Sequence, residues 1–160
     1  MSEELLAGAV NSAYRLSLII HRSSPMPRFV LLLHECPDDR PRSTHCDLMM
    51  EEGDVLKTWS LAELPQGWNA VMGSEHLTAF AASNTVDAEQ LADHRLAYLD
   101  YEGPVSGDRG SVRRLEAGTF VRRHEPLSFS LEGRIIRGEI KLQQSPNDDP
   151  PWQLVYLPAD

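Results

Sequence analysis

Short runs in which apolar and polar residues alternate cover most of the chain, and this period of two is typical of β-strands. Two runs, beginning at Arg28 and at Val55, are more continuously apolar, and an alternating run from His45 to Glu52 lies between them. Glycine, proline and aspartate separate the runs at short intervals, as turns require. The predicted strands cover residues 28–34, 45–52, 55–61, 77–82, 95–101, 111–116, 119–123, 127–132, 134–142 and 153–157.

This succession of short strands predicts an all-β fold, a compact β-barrel of about eight strands with short helical or irregular connections. In this interpretation residues 83–93 form either one helical turn or a loop. Residues 116–118 and 132–133 have the composition of hairpin turns. Because helical and strand patterns do not alternate along the chain, an α/β fold is disfavoured.

The barrel domain is expected to span residues 28–160, after an N-terminal appendage over residues 1–27 that is helical or disordered. Ser2 is a suitable N-cap for a helix in the appendage, and Pro25 would end it. An alternative is that Met26 is the true start and that residues 1–25 do not belong to the native protein. Mass spectrometry of the native N-terminus decides between the two.

The composition is that of an ordinary soluble domain, with 160 residues of which 41% are hydrophobic and 24% charged. No apolar run reaches the roughly 20 residues that cross a bilayer. The acidic Glu3 and Glu4 argue against a secretory signal, and Cys36 and Cys46 are too few for a disulfide framework. We therefore expect a cytoplasmic monomer without a membrane partner.

The net charge of −9 argues against general binding of nucleic acid, because cationic contacts to phosphates dominate such binding. The charge is unevenly distributed, since residues 109–141 contain eight basic and four acidic residues. We interpret that stretch as a set of solvated strand faces. The alternative is a local patch that faces phosphate.

Candidate chemistry is concentrated in the strand over residues 45–52. Alternate residues of a strand share a face, so His45 and Asp47 point to one side, and Cys46 and Leu48 point to the other, apolar side. His34, at the end of the preceding strand, can approach the same place. Two imidazoles and one carboxylate make an open divalent-metal site, with positions left for water or substrate.

The same residues also allow a simpler interpretation. Two histidines eleven residues apart match no recognised metal-binding spacing. On spacing alone, His45 as a surface strand residue and Asp47 as a solubilising residue near a turn are the default.

Several short motifs occur in order along the chain. They are Arg28-Phe29-Val30 leading to His34, His45-Cys46-Asp47, Val55-Leu56-Lys57-Thr58-Trp59, Asp93-His94-Arg95-Leu96-Ala97-Tyr98 and Tyr101-Glu102-Gly103, followed by Gly107, Gly110, Gly118-Thr119-Phe120, Leu131-Glu132-Gly133 and Trp152-Gln153-Leu154. In this order they resemble the 3′-phosphoesterase domain family of bacterial DNA ligase D and its stand-alone relatives. The resemblance spans about residues 28–157. No single motif is specific, whereas five in the right order are.

The resemblance implies a β-barrel with a catalytic groove and a manganese-type divalent ion held by His34, His45 and Asp47. It also implies that His94 and Tyr98 lie across the groove and engage the phosphate. Members of the family remove 3′-terminal ribonucleotides and 3′-phosphates and leave a 3′-hydroxyl. A metal ion and a protonated His94 would supply positive charge to the phosphate oxygens, and Tyr98 would orient a phosphate oxygen or the leaving group.

The chain departs from the family pattern at two cationic positions. Met49 stands two residues after Asp47, where active members carry an arginine, and a thioether cannot bind phosphate bidentately. The family's lysine after the third predicted strand is unmatched, and the loop between the two histidines is longer here. Arg109, in the glycine-rich turn, is the substrate-binding residue expected to compensate, because Arg28 lies about 20 Å from His34 along an extended strand.

Three functions are compatible with these features. The first is a metal-dependent phosphoesterase that processes 3′ ends of nucleic acid in DNA repair and end joining, with a DNA ligase or polymerase as partner. The second is a catalytically weakened metal-binding barrel that binds DNA ends or a repair partner, which Met49 and the acidic charge favour. The third is a metal phosphohydrolase of small nucleotides.

Overall fold

The alternating runs form strands throughout the part of the chain that the structure describes. The computed structural model describes residues 25–73 and 79–160. Its strands are β1 (Arg28–Glu35), β2 (His45–Glu52), β3 (Val55–Leu61), β4 (Glu63–Leu64), β5 (Ala79–Phe80), β6 (Thr85–Arg95), β7 (Gly103–Pro104), β8 (Ser111–Arg122), β9 (Ser128–Gly133), β10 (Arg137–Gln144) and β11 (Trp152–Pro158). Within these ranges, 3₁₀ helices cover Gln66–Met72 and Leu96–Leu99.

Eight of the described strands close into an antiparallel barrel. Around the barrel the order is β1, β2, β3, β6, β11, β10, β9 and β8, and β8 then pairs with β1. The short β7 pairs with the start of β8, and β4 and β5 form a separate parallel pair. The prediction of an all-β barrel of about eight strands is confirmed.

The interior of the barrel is apolar, and all eight barrel strands contribute residues to it. Its buried strand residues are Phe29, Leu31, Leu33, Cys46, Leu48, Met50, Trp59, Leu61, Val86, Ala88, Leu115, Phe120, Phe129, Leu131, Ile140, Leu142, Leu154 and Tyr156. The first 3₁₀ helix adds Trp68, whose ring meets that of Tyr156 edge-on at 5.5 Å between centroids. Burial of each large side chain contributes about 2 kcal/mol, so this interior holds the barrel together.

A second apolar cluster lies on the outer face of the sheet, where β1, β2, β3 and β8 are neighbours. Its buried members are Val30, Leu32, Met49, Leu56, Leu99 and Val112. The strand members alternate with interior residues of the same strands, and Leu99 of the second 3₁₀ helix packs over them. His45 and Asp47 share this outer face with Met49. The predicted site therefore lies outside the barrel wall, beside this outer apolar cluster.

β6 forms a strand over Thr85–Arg95, whereas the sequence predicts a helical turn or a loop over residues 83–93. Val86 and Ala88 are buried in the barrel interior, whereas Asp87 and Glu89 between and beyond them are exposed. The alternation is short, because Gln90 stands where the next apolar residue of the pattern would fall. β6 completes the barrel by pairing with β3 on one side and β11 on the other.

The strand predicted over residues 95–101 is instead the 3₁₀ helix Leu96–Leu99. The carbonyl oxygen of Ala97 accepts hydrogen bonds from the backbone N–H groups of Asp100 and Tyr101, at 3.1 and 3.0 Å. Burial of Leu99 against the outer cluster holds this turn on the sheet.

The hairpin turn predicted at residues 116–118 lies inside β8, which runs unbroken from Ser111 to Arg122. An ideal Cβ at Gly118 would lie 2.1 Å from the carbonyl oxygen of Glu132 on β9. Glycine is therefore needed here for the close approach of two strands and does not mark a turn.

Some predicted elements fall partly outside the described residues. Of the appendage over residues 1–27 the structure describes residues 25–27, and of the strand over residues 77–82 it describes residues 79–82, which contain β5. Among the described helices, none has the length and apolar character that crossing a membrane needs.

Candidate metal centre

Strand pairing brings the two predicted histidines side by side. β1 and β2 are antiparallel, and their register places His34 directly opposite His45 and Leu32 opposite Asp47. Residues opposed across an antiparallel pair share a face, so the three polar side chains converge. The centroids of the two imidazole rings are 4.9 Å apart.

Asp47 lies against both imidazoles. Its Oδ1 is 3.2 Å from His45 Nε2, and its Oδ2 is 3.8 Å from His34 Nδ1. His45 and Asp47 are buried, and His34 is half-buried. The structure therefore brings the three predicted metal ligands, His34, His45 and Asp47, together in one cluster.

Backbone carbonyls fix which nitrogen of each ring carries the proton. His34 Nε2 donates to the carbonyl oxygen of Arg109 at 2.7 Å, and His45 Nδ1 donates to that of Ser43 at 2.7 Å. Because a carbonyl only accepts, the neutral rings turn lone pairs toward Asp47, from Nδ1 of His34 and Nε2 of His45.

Lone pairs that face one another repel, and a cation between them removes the repulsion. Asp47 Oδ1 is buried and has no hydrogen-bond partner among the described residues, although a ring nitrogen lies 3.2 Å away. A buried acceptor left in this way is costly, and a proton or a metal ion relieves the cost. Two imidazoles anchored by carbonyls plus one carboxylate form a donor set that suits a divalent metal ion.

The charge of Asp47 also suits a metal ligand. Burial acts to raise the pKa of this carboxyl, but the hydrogen bonds and positive charges that His34 and His45 supply when their rings are protonated outweigh burial and lower the pKa to about 2. In turn, a hydrogen bond from the protonated ring to Asp47 raises the pKa of His34. The carboxylate is therefore ionised at neutral pH, and a metal ion competes with protons for the imidazole.

Cys36 joins the cluster from the loop that follows β1. Ligand atoms of His34, Cys36 and His45 lie within 4.8 Å of one another, so these three residues can hold a metal ion. The sulfur is 3.9 Å from Nδ1 of His45, the nitrogen bonded to Ser43. Cys36 is not among the ligands predicted from the sequence, and the signal for it is its place two residues after His34 at a strand end.

A cavity of about 380 Å³ opens on this cluster. Besides the four cluster residues it is lined by Leu91 and His94 of β6, by Arg40, Pro41 and Arg42 of the loop between β1 and β2, and by Arg109 of the loop before β8. A cavity of this size accommodates a small ligand or one end of a larger one.

A second cavity, of about 210 Å³, adjoins the first and shares His34, Asp47, His94 and Arg109 with it. Tyr98 also lines the second cavity. The rings of His94 and Tyr98 meet edge to face with centroids 5.6 Å apart. His94 Nδ1 donates to a backbone carbonyl, which leaves Nε2 as the ring nitrogen for a ligand. The two residues predicted to engage phosphate therefore line the same pair of cavities as the predicted metal ligands.

Arg109 contributes its backbone as well as its side chain. The adjacent Gly110 has a φ of +90°, and an ideal Cβ there would lie 1.8 Å from the carbonyl oxygen of Glu35. Glycine thus lets this loop pack on the end of β1, where the Arg109 carbonyl reaches His34. The guanidinium donates to the carbonyl and hydroxyl oxygens of Ser106, at 2.7 and 3.1 Å.

Met49 occupies an apolar position. It is 1% exposed within the outer cluster and lines the second cavity. Arg28, at the far end of β1, pairs with Asp100 at 2.9 Å. Neither position therefore brings a cationic side chain to the first cavity, whose lining contains Arg40, Arg42 and Arg109. Of these, the sequence predicts only Arg109.

The chain matches no protein-family model and no curated protein. Its function is therefore inferred from the geometry of the site and from the order of its motifs.

Proposed function

We propose that this protein is a metal-dependent phosphoesterase that removes 3′-phosphates or 3′-terminal ribonucleotides from nucleic acid in DNA repair and end joining. The main support is the meeting of His34, His45 and Asp47, with lone pairs turned toward one another, beside His94 and Tyr98. The first three residues would hold a divalent ion of the manganese type. The partners would be nucleic-acid 3′ ends and a DNA ligase or polymerase of end joining.

The chemistry divides between the ion and the protein. When bound, the divalent ion supplies positive charge to a phosphate oxygen. His94 and Tyr98 orient the substrate, the first through its free ring nitrogen and the second through its hydroxyl. On a 3′-phosphate, the oxygen of a water bonds to phosphorus, the bond from phosphorus to the terminal 3′ oxygen breaks, and that oxygen takes up a proton. The products are a 3′-hydroxyl and inorganic phosphate.

Asp47 is the third ligand in this proposal, in preference to Cys36. His45 faces Asp47 with its bare Nε2, whereas Cys36 approaches Nδ1, whose proton is bonded to Ser43. Ligation through Nε2 preserves the hydrogen bond to Ser43, and ligation through Nδ1 breaks it. Nitrogen and carboxylate donors also suit manganese better than a thiolate does.

The two candidate third ligands differ in what their replacement does. Cys36→Ser is expected to leave the affinity for Mn²⁺ unchanged within about twofold, whereas Asp47→Asn lowers it by at least about tenfold. Calorimetric titration of Mn²⁺ into both variants measures this, with thermal melts to verify that each is folded. The opposite order of effects would assign the third ligand to the thiol.

A second candidate function is a metal-binding barrel that holds nucleic-acid ends or a repair partner without turnover. The burial of Met49 favours it, because the position that carries an arginine in active members of the resembled family is apolar here. The two candidates differ in whether a bound 3′ end is hydrolysed.

The deciding experiment supplies Mn²⁺ and two primer-templates, one ending in a 3′-phosphate and one in a single 3′-ribonucleotide, with a mononucleotide tested in parallel. If the proposed function is correct, both primer-templates yield a primer with a 3′-hydroxyl. The activity is lost when EDTA removes the ion. Metal binding without product supports the second candidate. Turnover of the mononucleotide alone supports a phosphohydrolase of small nucleotides.

A further inference from the structure

Three arginines line the cavity beside the metal cluster. Arg40 and Arg42 come from the loop between β1 and β2, and Arg109 comes from the loop before β8. Among the described residues that line this cavity, Asp47 is the only carboxylate. The lining of the cavity is therefore locally cationic, in a chain whose net charge is −9.

The contacts of these arginines position them without neutralising most of their charge. Arg40 donates from Nη2 to the carbonyl oxygen of Gly107 at 3.1 Å, which ties the first loop to the second. Arg42 lies 3.6 Å from Glu89, and both side chains are largely exposed. An exposed ion pair at this distance contributes little, so Arg42 is free to turn to an anion in the cavity.

We propose that Arg40 and Arg42 bind the substrate's phosphate and that they select a terminal 3′-phosphate monoester over the phosphodiester of a 3′-terminal ribonucleotide. This inference rests on the proposed function and names its substrate class. A phosphate monoester carries a charge of about −1.5 to −2 at pH 7, and a diester carries about −1. Guanidinium groups beside a divalent-cation site favour the more highly charged group and can bind its oxygens bidentately.

The same assignment accounts for Met49. The resembled family places its arginine two residues after the aspartate, on the strand itself. In this chain the loop between His34 and His45 is longer and delivers Arg40 and Arg42 to the cavity that the metal cluster opens into. The cationic contact to phosphate is thus moved from a strand to a loop.

The test is a binding measurement, independent of turnover. Fluorescence anisotropy in EDTA measures the affinity of the protein for three oligonucleotides that differ only at the 3′ end. The ends are a 3′-phosphate, a 3′-hydroxyl and a single 3′-ribonucleotide. The wild-type protein is expected to bind the 3′-phosphate end about tenfold more tightly than the other two, and the double variant Arg40→Gln with Arg42→Gln to lose that preference. Arg134→Gln is the matched control, because Arg134 is exposed in the turn between β9 and β10. It should keep the preference.

Each outcome separates this inference from the proposed function. Equal binding of the three ends by the wild-type protein, or an unchanged preference in the double variant, overturns the inference even where Mn²⁺-dependent turnover is found. The expected preference without any turnover in Mn²⁺ keeps the inference and refutes the proposed activity. Arg42→Lys, which keeps the charge, should retain part of the preference, and thermal melts show whether the double variant is folded.

Discussion

Replacing His45 with alanine is expected to lower Mn²⁺-dependent release of phosphate from a 3′-phosphorylated primer by about 10³-fold or more, equivalent to about 4 kcal/mol. His45 is buried, anchored by the carbonyl of Ser43 and 3.2 Å from Asp47. Alanine removes Nε2, the ring nitrogen without a proton, and with it one of the three proposed ligands of the ion. The buried Oδ1 of Asp47 then loses the cation that it would bind together with His45. The measurement is kcat/KM at saturating Mn²⁺, together with calorimetric titration of the ion.

His124→Ala is the matched control for this variant. His124 is exposed and follows the end of β8 that is remote from Val112, the residue paired with His34. We expect His124→Ala to turn over substrate as the wild-type protein does. Thermal melts of both variants show whether a loss of activity comes from loss of a metal ligand or from loss of the fold. If His45→Ala keeps more than about a tenth of the activity, His45 is not a ligand of the catalytic ion.

The meeting of His34 with His45 could be predicted because it depends on local rules. A period of two places His45 and Asp47 on one face, and two strands joined by a loop pair antiparallel, so the end of β1 meets the start of β2. For β1, however, the sequence could not tell which face the barrel encloses. Val30 and Leu32 on one face of β1 are as apolar as Phe29 and Leu31 on the other, and all four are fully buried.

Tertiary structure brings together the three arginines that line the first cavity. Arg40 and Arg109 are far apart in sequence and come together because β1 pairs with β8. Apart from Arg109, the basic stretch that stands out in the sequence, residues 109–141, places several of its charges in surface ion pairs. Examples are Arg122 with Glu52 at 3.3 Å and Lys141 with Glu125 at 2.8 Å. Counting charges along the chain therefore does not identify Arg40 and Arg42, which line the cavity.

The second 3₁₀ helix shows where periodicity alone is insufficient. Residues 95–101 alternate as a strand does, yet β6 ends at Arg95 and the chain turns at Leu96–Leu99. This turn buries Leu99 in the outer cluster and carries Tyr98 to the second cavity. Packing on the outer face thus overrides a pattern that also fits a strand.

Glu116 is a buried carboxylate on β8 that organises the turn between β9 and β10. It is 4% exposed, and its Oε2 accepts hydrogen bonds from the backbone N–H groups of Ile135 and Ile136 at 2.5 and 2.7 Å. Its Oε1 accepts from the N–H groups of Ala117 and Arg134, at 3.0 and 3.2 Å. One side chain therefore satisfies four backbone donors, and the turn depends on it.

Glu116→Ala is expected to destabilise the protein by about 3 kcal/mol, because hydrogen bonds to a charged group are strong and their loss leaves N–H donors with no partner. In a domain of this size the Tm falls by about 9 °C, which calorimetry or a circular-dichroism melt measures. Glu132→Ala is the control, since Glu132 is exposed on the adjacent strand, and it should change stability by less than about 0.5 kcal/mol. Glu116→Gln keeps two acceptor lone pairs on one oxygen and is expected to lie between the two. Equal melting temperatures for the two alanine variants would show that the carboxylate contributes no more than a surface charge.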